Sequence, residues 1–274
     1  MADSLSATSQ AATSGVPGWP AALTLAEREL VRFFRQRNRV FGGLGQPIIF
    51  WLLFSEGLRP NDLGYAHFFP GTLVMILLFT AIFATISVIE DRREGFLQSV
   101  LVSPAPRWAM VVGKVLGGAA IALLQALLFL ALGWATMPLA SSPGELLAAV
   151  TLMGVIAVAL TALGFSIAWL MESTQGFHAI MSVFLLPMWL LSGAFFPAGG
   201  TGWLAWIVRA NPLTYGVAGL RHYLHFAESA ADTADPVANL PGLATCWLVT
   251  LAFAAVLLAI AWRVSRARTS GDLL

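Results

Sequence analysis

The chain alternates long apolar runs with short charged ones. A helix needs about 20 mostly apolar residues to cross the hydrocarbon core of a bilayer. Six runs approach that length: Phe41–Leu58, Phe68–Ile89, Trp108–Met137, Leu146–Met171, Phe177–Phe196 and Leu243–Trp262. The first is interrupted by Gly42, Gly43, Gly45 and Pro47, which is tolerable where neighbouring helices cover the freed backbone groups. Two other stretches carry apolar residues at helical spacing without the length to span. In the first, Leu23, Ala26, Leu30, Phe34 and Phe41 make an apolar stripe, and Arg28, Arg32, Arg35 and Arg39 make a separate basic one. Thr24 and Glu27 supply a T-x-x-E capping box at its start. This predicts an amphipathic helix over 23–40, lying in an anionic membrane interface. The second, Phe195–Leu224, is broken by Pro197, Gly199, Gly200, Gly202 and Pro212. Its Trp203, Trp206 and Tyr215 are of the kind that favours the membrane–water boundary, so a re-entrant helical hairpin is expected over 195–224. The predicted fold is an all-α membrane protein of six transmembrane helices with these two additions.

Composition agrees. Of the 274 residues, 58% are hydrophobic and only 11% charged, with mean hydropathy +0.79; soluble domains carry roughly 25% charged residues. The formal net charge of +1 gives no footprint for nucleic acid, and none is expected as a partner. The distribution of charge says more. With the N-terminus in the cytoplasm, twelve of the fifteen Lys and Arg residues fall inside, leaving Arg59, Arg209 and Arg221 outside. By the positive-inside rule both termini are therefore expected in the cytoplasm, in a bacterial inner membrane. Residues 1–22, rich in Ser, Thr and Ala, are expected to be a disordered tail, 23–263 the transmembrane domain and 264–274 a second tail. The lone Cys246 excludes an internal disulfide and CxxC metal sites.

The densest charge lies where the oily pattern breaks, in "SVIEDRREGFLQSVLVSPAPRW", Ser87 to Trp108. Glu90, Asp91, Arg92, Arg93 and Glu94 are followed by Gly95 and then by Phe96, Leu97, Val100 and Leu101 on one helical face. Pro104 and Pro106 stop that helix, because proline lacks the N–H and restricts its predecessor. A short helix over 90–104 with an apolar face and charged flanks suits a groove on a cytoplasmic partner, the apolar face supplying affinity and the charges orientation.

The segment "EDRREGFLQSVLVSPAPRWAMVVGKVL" resembles the region after the second span in type-2 ABC transporter permeases, the family of drug, polysaccharide and lipid-linked glycan exporters. Glu90, Arg93, Glu94, Gly95, Ser103, Pro104, Gly113 and Lys114 carry the match. "LPMWLLSGAFFP" and "NPLTYGVAGLRHYL" resemble the family's fifth-span and outer re-entrant signatures, through Leu186, Pro187, Ser192, Gly193, Phe196, Pro197, Asn211, Pro212, Tyr215 and Arg221. Two departures stand out: Phe96 follows Gly95 where relatives often have threonine, and Gly202 replaces the usual proline before the outer tryptophan. The resemblance implies that 90–104 is a coupling helix docking on an ATP-binding subunit, with Glu90, Arg92, Arg93, Glu94, Gly95, Phe96, Leu97, Val100, Leu101, Ser103 and Pro104 at that contact. It also implies a homodimer with two ATP-binding subunits, exporting an amphipathic drug-like, lipid-linked or polysaccharide substrate.

The chain is not expected to be an enzyme or to hold a cofactor of its own. "VVGKVLGG" lacks the upstream glycine and the Ser/Thr of G-x-x-x-x-G-K-[ST], so ATP and Mg would be bound by the partner. His222 and His225 lack further ligands nearby, and no metal site is expected. "GFSIA" at 164–168 lacks the last glycine of a nucleophile elbow, leaving Ser166 as a helix-packing residue. Glu56 and Glu172 stand at helix ends near water. Spans with so few charges argue against a small hydrophilic ion as cargo. The alternative is an ion-coupled or passive transporter without an ATPase partner, which would want midplane carboxylates and no docking helix.

Overall fold

The computed structural model describes residues 17–57, 65–137, 139–194, 202–226 and 241–266. These form α1 (Gly18–Arg35), α2 (Arg37–Gly57), α3 (Tyr65–Ala84), α4 (Ile86–Arg93), α5 (Phe96–Val102), α6 (Arg107–Thr136), α7 (Pro143–Trp169), α8 (Thr174–Trp189), α9 (Trp203–Ala210), α10 (Pro212–Tyr223) and α11 (Leu243–Arg266). A π-helical turn, Leu190–Ala194, extends α8. Among the described residues there is no strand, only one isolated bridge between Leu139 and Phe226.

Five helical stretches are long and apolar enough to cross a membrane: Ala66–Arg93, Arg107–Thr136, Pro143–Trp169, Thr174–Ala194 and Leu243–Arg266. They correspond to the second to sixth runs read from the sequence. The first run forms α2, but its apolar part, Pro47–Gly57, is shorter than a span. Arg37, Arg39 and the Gly42–Gly43–Gly45 interruptions occupy the half that would complete it.

Hydrophobicity on every side sends a helix to the middle of a bundle, and α3 is that helix. Phe68, Phe69 and the run Leu73–Leu78 are all buried, packed by α2, α6, α7, α8 and α10. Phe69 stacks on Phe129 of α6 at 4.8 Å between ring centres and meets Phe226 edge-on at 5.3 Å. Ser142 and Glu145 start α7 with a reciprocal cap: the Glu145 N–H donates to Ser142 Oγ (3.3 Å) and the Ser142 N–H to Glu145 Oε2 (2.7 Å).

The amphipathic helix predicted over 23–40 is α1, and it begins at Gly18, so the last residues assigned to a disordered tail are helical. Pro20 is no obstacle in a first turn, where its missing N–H would have no partner anyway, and Trp19 packs edge-on against Trp108 at 5.3 Å. Thr24 consequently lies inside the helix and donates to the Pro20 carbonyl (2.9 Å). The expected capping box does not form. α1 ends at Gln36, and the side chain of Arg39 lies outside the described residues.

Instead of standing apart, α1 packs along the first half of α6. Gly113 and Gly117, one turn apart, make the close approach possible. A Cβ on Gly113 would lie 2.6 Å from the Ala22 carbonyl oxygen, and one on Gly117 2.8 Å from Glu29 Cβ. This is the small-xxx-small device of membrane helix pairs.

Candidate functional site

The charged stretch that interrupts the oily pattern becomes an elbow between two spans. α4 continues α3 as far as Arg93. Gly95 then adopts φ = +75°, a left-handed conformation that costs any residue with a Cβ roughly 1–2 kcal/mol, and α5 sets off in a new direction. Ser103 is extended (ψ = 155°), its hydroxyl donates to the Val100 carbonyl (2.7 Å), and the extended Pro106 precedes α6 as its N-cap residue.

One carboxylate organises the elbow. Asp91, with no exposed side-chain surface, accepts two bonds from Arg28 (Nη1–Oδ2 3.0 Å, Nη2–Oδ1 2.8 Å), one from Arg32 Nη1 (2.8 Å) and one from Lys114 Nζ. Lys114 also donates to Glu29 Oε1 (2.6 Å) and lies 3.4 Å from Ser87 Oγ. Arg32 Nη2 reaches Glu90 (2.9 Å) and Glu94 (3.3 Å). Three cations thus face four carboxylates drawn from α1, α4, α6 and the turn after α4. Such a cluster is costly to strip from water, but with its partners in place it fixes three helices relative to one another. The hydrogen bond from Arg28 to Asp91, foremost, raises the Arg28 pKa above its ordinary value.

Phe96 belongs to the same arrangement: the Arg28 guanidinium lies over its ring, 3.7 Å from the centroid. Its aromatic face is used where a threonine would offer none.

The opposite side of the elbow is tied to the end of α7. Arg92 donates to the carbonyls of Trp169 (2.7 Å) and Met171 (3.2 Å), and Arg93 twice to that of Glu172 (3.1 and 2.9 Å). Carbonyls at a helix C-terminus lack helical partners and carry partial negative charge, so arginine suits them. The role of Glu172 here is its backbone.

The apolar face of α5 is turned toward the bundle, with Leu97 buried and Val100 and Leu101 half-buried. Leu97 is 1% exposed, and Val100 and Leu101 pack on the core. Leu97, Val100 and Leu101 join one side of α5 to the bundle because the elbow has a core of its own to cover. What remains outward is Ser99, Val102 (85% exposed), Pro104, Arg93 and the Glu94 carboxylate. An open groove of about 700 Å³ runs alongside, lined by Thr24, Arg28, Val31, Arg32, Arg35 and Glu94.

The basic stripe of α1 is likewise divided. Arg28 and Arg32 are spent on Asp91, Glu90 and Glu94, whereas Arg35 is exposed. Glu29 was not legible as a participant, yet it carries the Lys114 pair. A signal existed: Ala22, Glu29 and Phe33 are the buried positions of α1 and share one face.

At the other end of the bundle, the second motif forms a clamp. Pro187 lies inside α8, and the helix widens into the π turn, where Gly193 has φ = +78°. The released carbonyls are met by Asn211, whose Nδ2 donates to Met188 O (2.7 Å) and Leu191 O (2.9 Å). Its Oδ1 accepts from the Leu213 N–H (3.0 Å), capping α10, with Pro212 as the first helical residue. Ser192 donates to Trp189 O, Tyr215 to Arg209 O (3.0 Å) and Arg221 to Ala194 O (3.5 Å). Phe196 and Pro197 lie outside the described residues.

The remaining candidates resolve into structural contacts. His222 Nε2 pairs with the Pro241 carbonyl (2.9 Å), and the His225 N–H donates to Ser141 Oγ (2.9 Å). Among the described residues no group of His, Cys, Asp and Glu is placed to hold a metal. Ser166 donates to Ala162 O within α7 (2.7 Å), as a packing residue does.

Known proteins share this order of parts. Over 193 residues the chain is 29% identical to YbhR of Escherichia coli (strain K12), named as a probable multidrug ABC transporter permease; the match covers 69% of this chain and 51% of YbhR. It is 24% identical over 211 residues to ycf38 of Porphyra purpurea, named as a transport permease, covering 72% of each chain. The chain thus spans about half the length of YbhR. The ABC-2 type transporter family matches residues 20–225, from the start of α1 through the elbow to the Asn211 clamp. With that match over most of its length, on a bundle of membrane-length helices, this chain belongs to the ABC-2 type transporter family.

Proposed function

We propose that this chain is the permease subunit of an ATP-driven exporter, energised by a separate ATP-binding subunit docked on the α4–α5 elbow. The observation that carries the reading is mechanical. α5 is a short helix joined through Gly95 to α4, and α4 is held to α1 and α6 by buried ion pairs of Asp91 and to the end of α7 by hydrogen bonds from Arg92 and Arg93, while Leu97 anchors α5 itself in the core. A push on its outward face is therefore passed to three long helices rather than absorbed by a loop. Nucleotide can drive transport only by stabilising one arrangement of the spans over another, and a stiff elbow is a means of delivering that difference. Ser99, Val102, Pro104, Arg93 and Glu94 form the contact.

In this reading α2 completes a sixth span and the elbow lies in the cytoplasm with both termini. Two copies pair with two ATP-binding subunits that hold ATP and Mg, in a bacterial inner membrane. The cargo is an amphipathic drug-like or lipid-linked molecule, in keeping with spans whose interiors are aromatic and aliphatic.

The test is co-purification after co-expression with a candidate ATP-binding protein. Ser99→Arg with Val102→Glu alters only outward positions and should abolish the complex and its transport-coupled ATPase, with insertion and melting unchanged. An intact complex in that variant removes the elbow from the contact. Leu97→Asp is the wrong probe, since it places a charge in the core.

A further inference from the structure

Arg221 is poorly satisfied. It lies in the last turn of α10, partly buried, and a guanidinium offers five N–H donors. Among the described residues it makes one long hydrogen bond, to Ala194 O at 3.5 Å, and its buried Nε has no acceptor. No carboxylate among the described residues acts on its charge; the electrostatic neighbour it does have is His67, an exposed ring in the first turn of α3 that cannot serve as a counter-ion. A partly buried cation without a counter-ion among the described residues is a candidate site for an anion.

Its neighbours point to the ligand. Ala194, which Arg221 touches, belongs to the π turn, and α9 packs on that same turn. α9 exposes Trp203 and Trp206, 76% and 72% accessible. Tryptophans of this kind settle at headgroup level, where the abundant anion is phosphate, and the guanidinium fork matches a phosphate with two parallel bonds.

We propose that Arg221, with His67 as its electrostatic neighbour, forms an anion site for a phosphate oxyanion at the end of the bundle opposite the elbow. The phosphate is that of a membrane amphiphile or a free ion. Arg221 donates two N–H bonds to the phosphate oxygens, and the His67 ring supplies a further donor from the exposed side.

The experiment uses the purified full chain in non-ionic detergent, with binding read by native mass spectrometry. The probes are dioleoylphosphatidylglycerol, dioleoylglycerol and inorganic phosphate. The wild type should retain phosphatidylglycerol about tenfold better than dioleoylglycerol, as a charge-assisted pair of bonds implies. Arg221→Gln should erase that preference and Arg221→Lys should keep part of it. His67→Glu lends the guanidinium an internal counter-ion; it should erase the preference without lowering the melting temperature, which keeps the test sound should Arg221→Gln misfold. Displacement of phosphatidylglycerol by millimolar phosphate assigns the site to the free ion, and failure to displace assigns it to the lipid headgroup. Unchanged retention in Arg221→Gln and His67→Glu overturns the proposal. It is also overturned if Asp62→Asn, Glu228→Gln, Asp232→Asn or Asp235→Asn destabilises the protein as Arg221→Gln does and the double variant adds nothing. That result would make the occupant a carboxylate of the chain itself.

Discussion

Replacing Lys114 by methionine removes the cation that Glu29 and Asp91 share. The side chains of Lys114, Glu29 and Asp91 are 4%, 6% and 0% exposed, so none can rehydrate in place. Breaking a buried ion pair from one side costs about 3–5 kcal/mol. The upper end does not apply, because Asp91 keeps Arg28 and Arg32, and Glu29 keeps Arg28 Nη1 at 3.4 Å. The expected loss is therefore about 3 kcal/mol. In Lys114→Met combined with Glu29→Leu, the stranded carboxylate leaves together with its cation. Replacing both members of a buried pair by apolar groups is often nearly neutral, so the double variant should cost less than the sum of the singles by about 1–3 kcal/mol. Reversible unfolding in mixed micelles with rising dodecyl sulfate, followed through the ten tryptophans, measures all four corners of the cycle. A Lys114→Met loss below about 1 kcal/mol, the range of exposed ion pairs, or strict additivity would refute the claim that this cluster fixes α1 to α4 and α6.

Other variants probe the same logic elsewhere. Gly117→Val thrusts a side chain into Glu29 Cβ and should cost about 1–3 kcal/mol in the same unfolding assay, whereas Gly144→Ala, with nothing within 4 Å, should change little. Gly95→Ala meets no atom but must adopt φ = +75°; it should lose about 1–2 kcal/mol, and an unchanged melting curve would show that the elbow tolerates another backbone path. Asn211→Ala removes the α10 cap and the bonds to Met188 O and Leu191 O, for an expected loss of about 2 kcal/mol and faster protease cleavage between α8 and α9. Asn211→Asp keeps the cap acceptor but puts a carboxylate beside two carbonyls, and it should rescue none of that loss.

The long apolar runs were legible because span length is local: apolar residues in series need no knowledge of neighbours to declare a membrane helix. Prolines and glycines at the elbow were equally plain, since two prolines one residue apart, Pro104 and Pro106, remove backbone donors and restrict the residues before them. Reading stopped where side chains choose partners. The arginines of α1 look like a lipid-facing stripe on their own helix. Only the approach of α1 to α6 through Gly113 and Gly117 brings Arg28 and Arg32 within reach of Asp91, some sixty residues on. The T-x-x-E signal failed for a related reason: packing of Trp19 on Trp108 extends the helix past its local start signal.

By itself, then, the chain determined a helical membrane protein, the positions of most of its spans and the existence of a charged elbow, because periodicity, hydropathy and proline chemistry act within a few residues. The tertiary structure decided that α5 turns its apolar face inward, that Glu29 and Lys114 form a buried pair, that Asn211 closes a π turn and that Arg221 is left without a counter-ion among the described residues. These are contacts between segments far apart in sequence, and electrostatic and steric complementarity across such distances is settled only when the helices are packed.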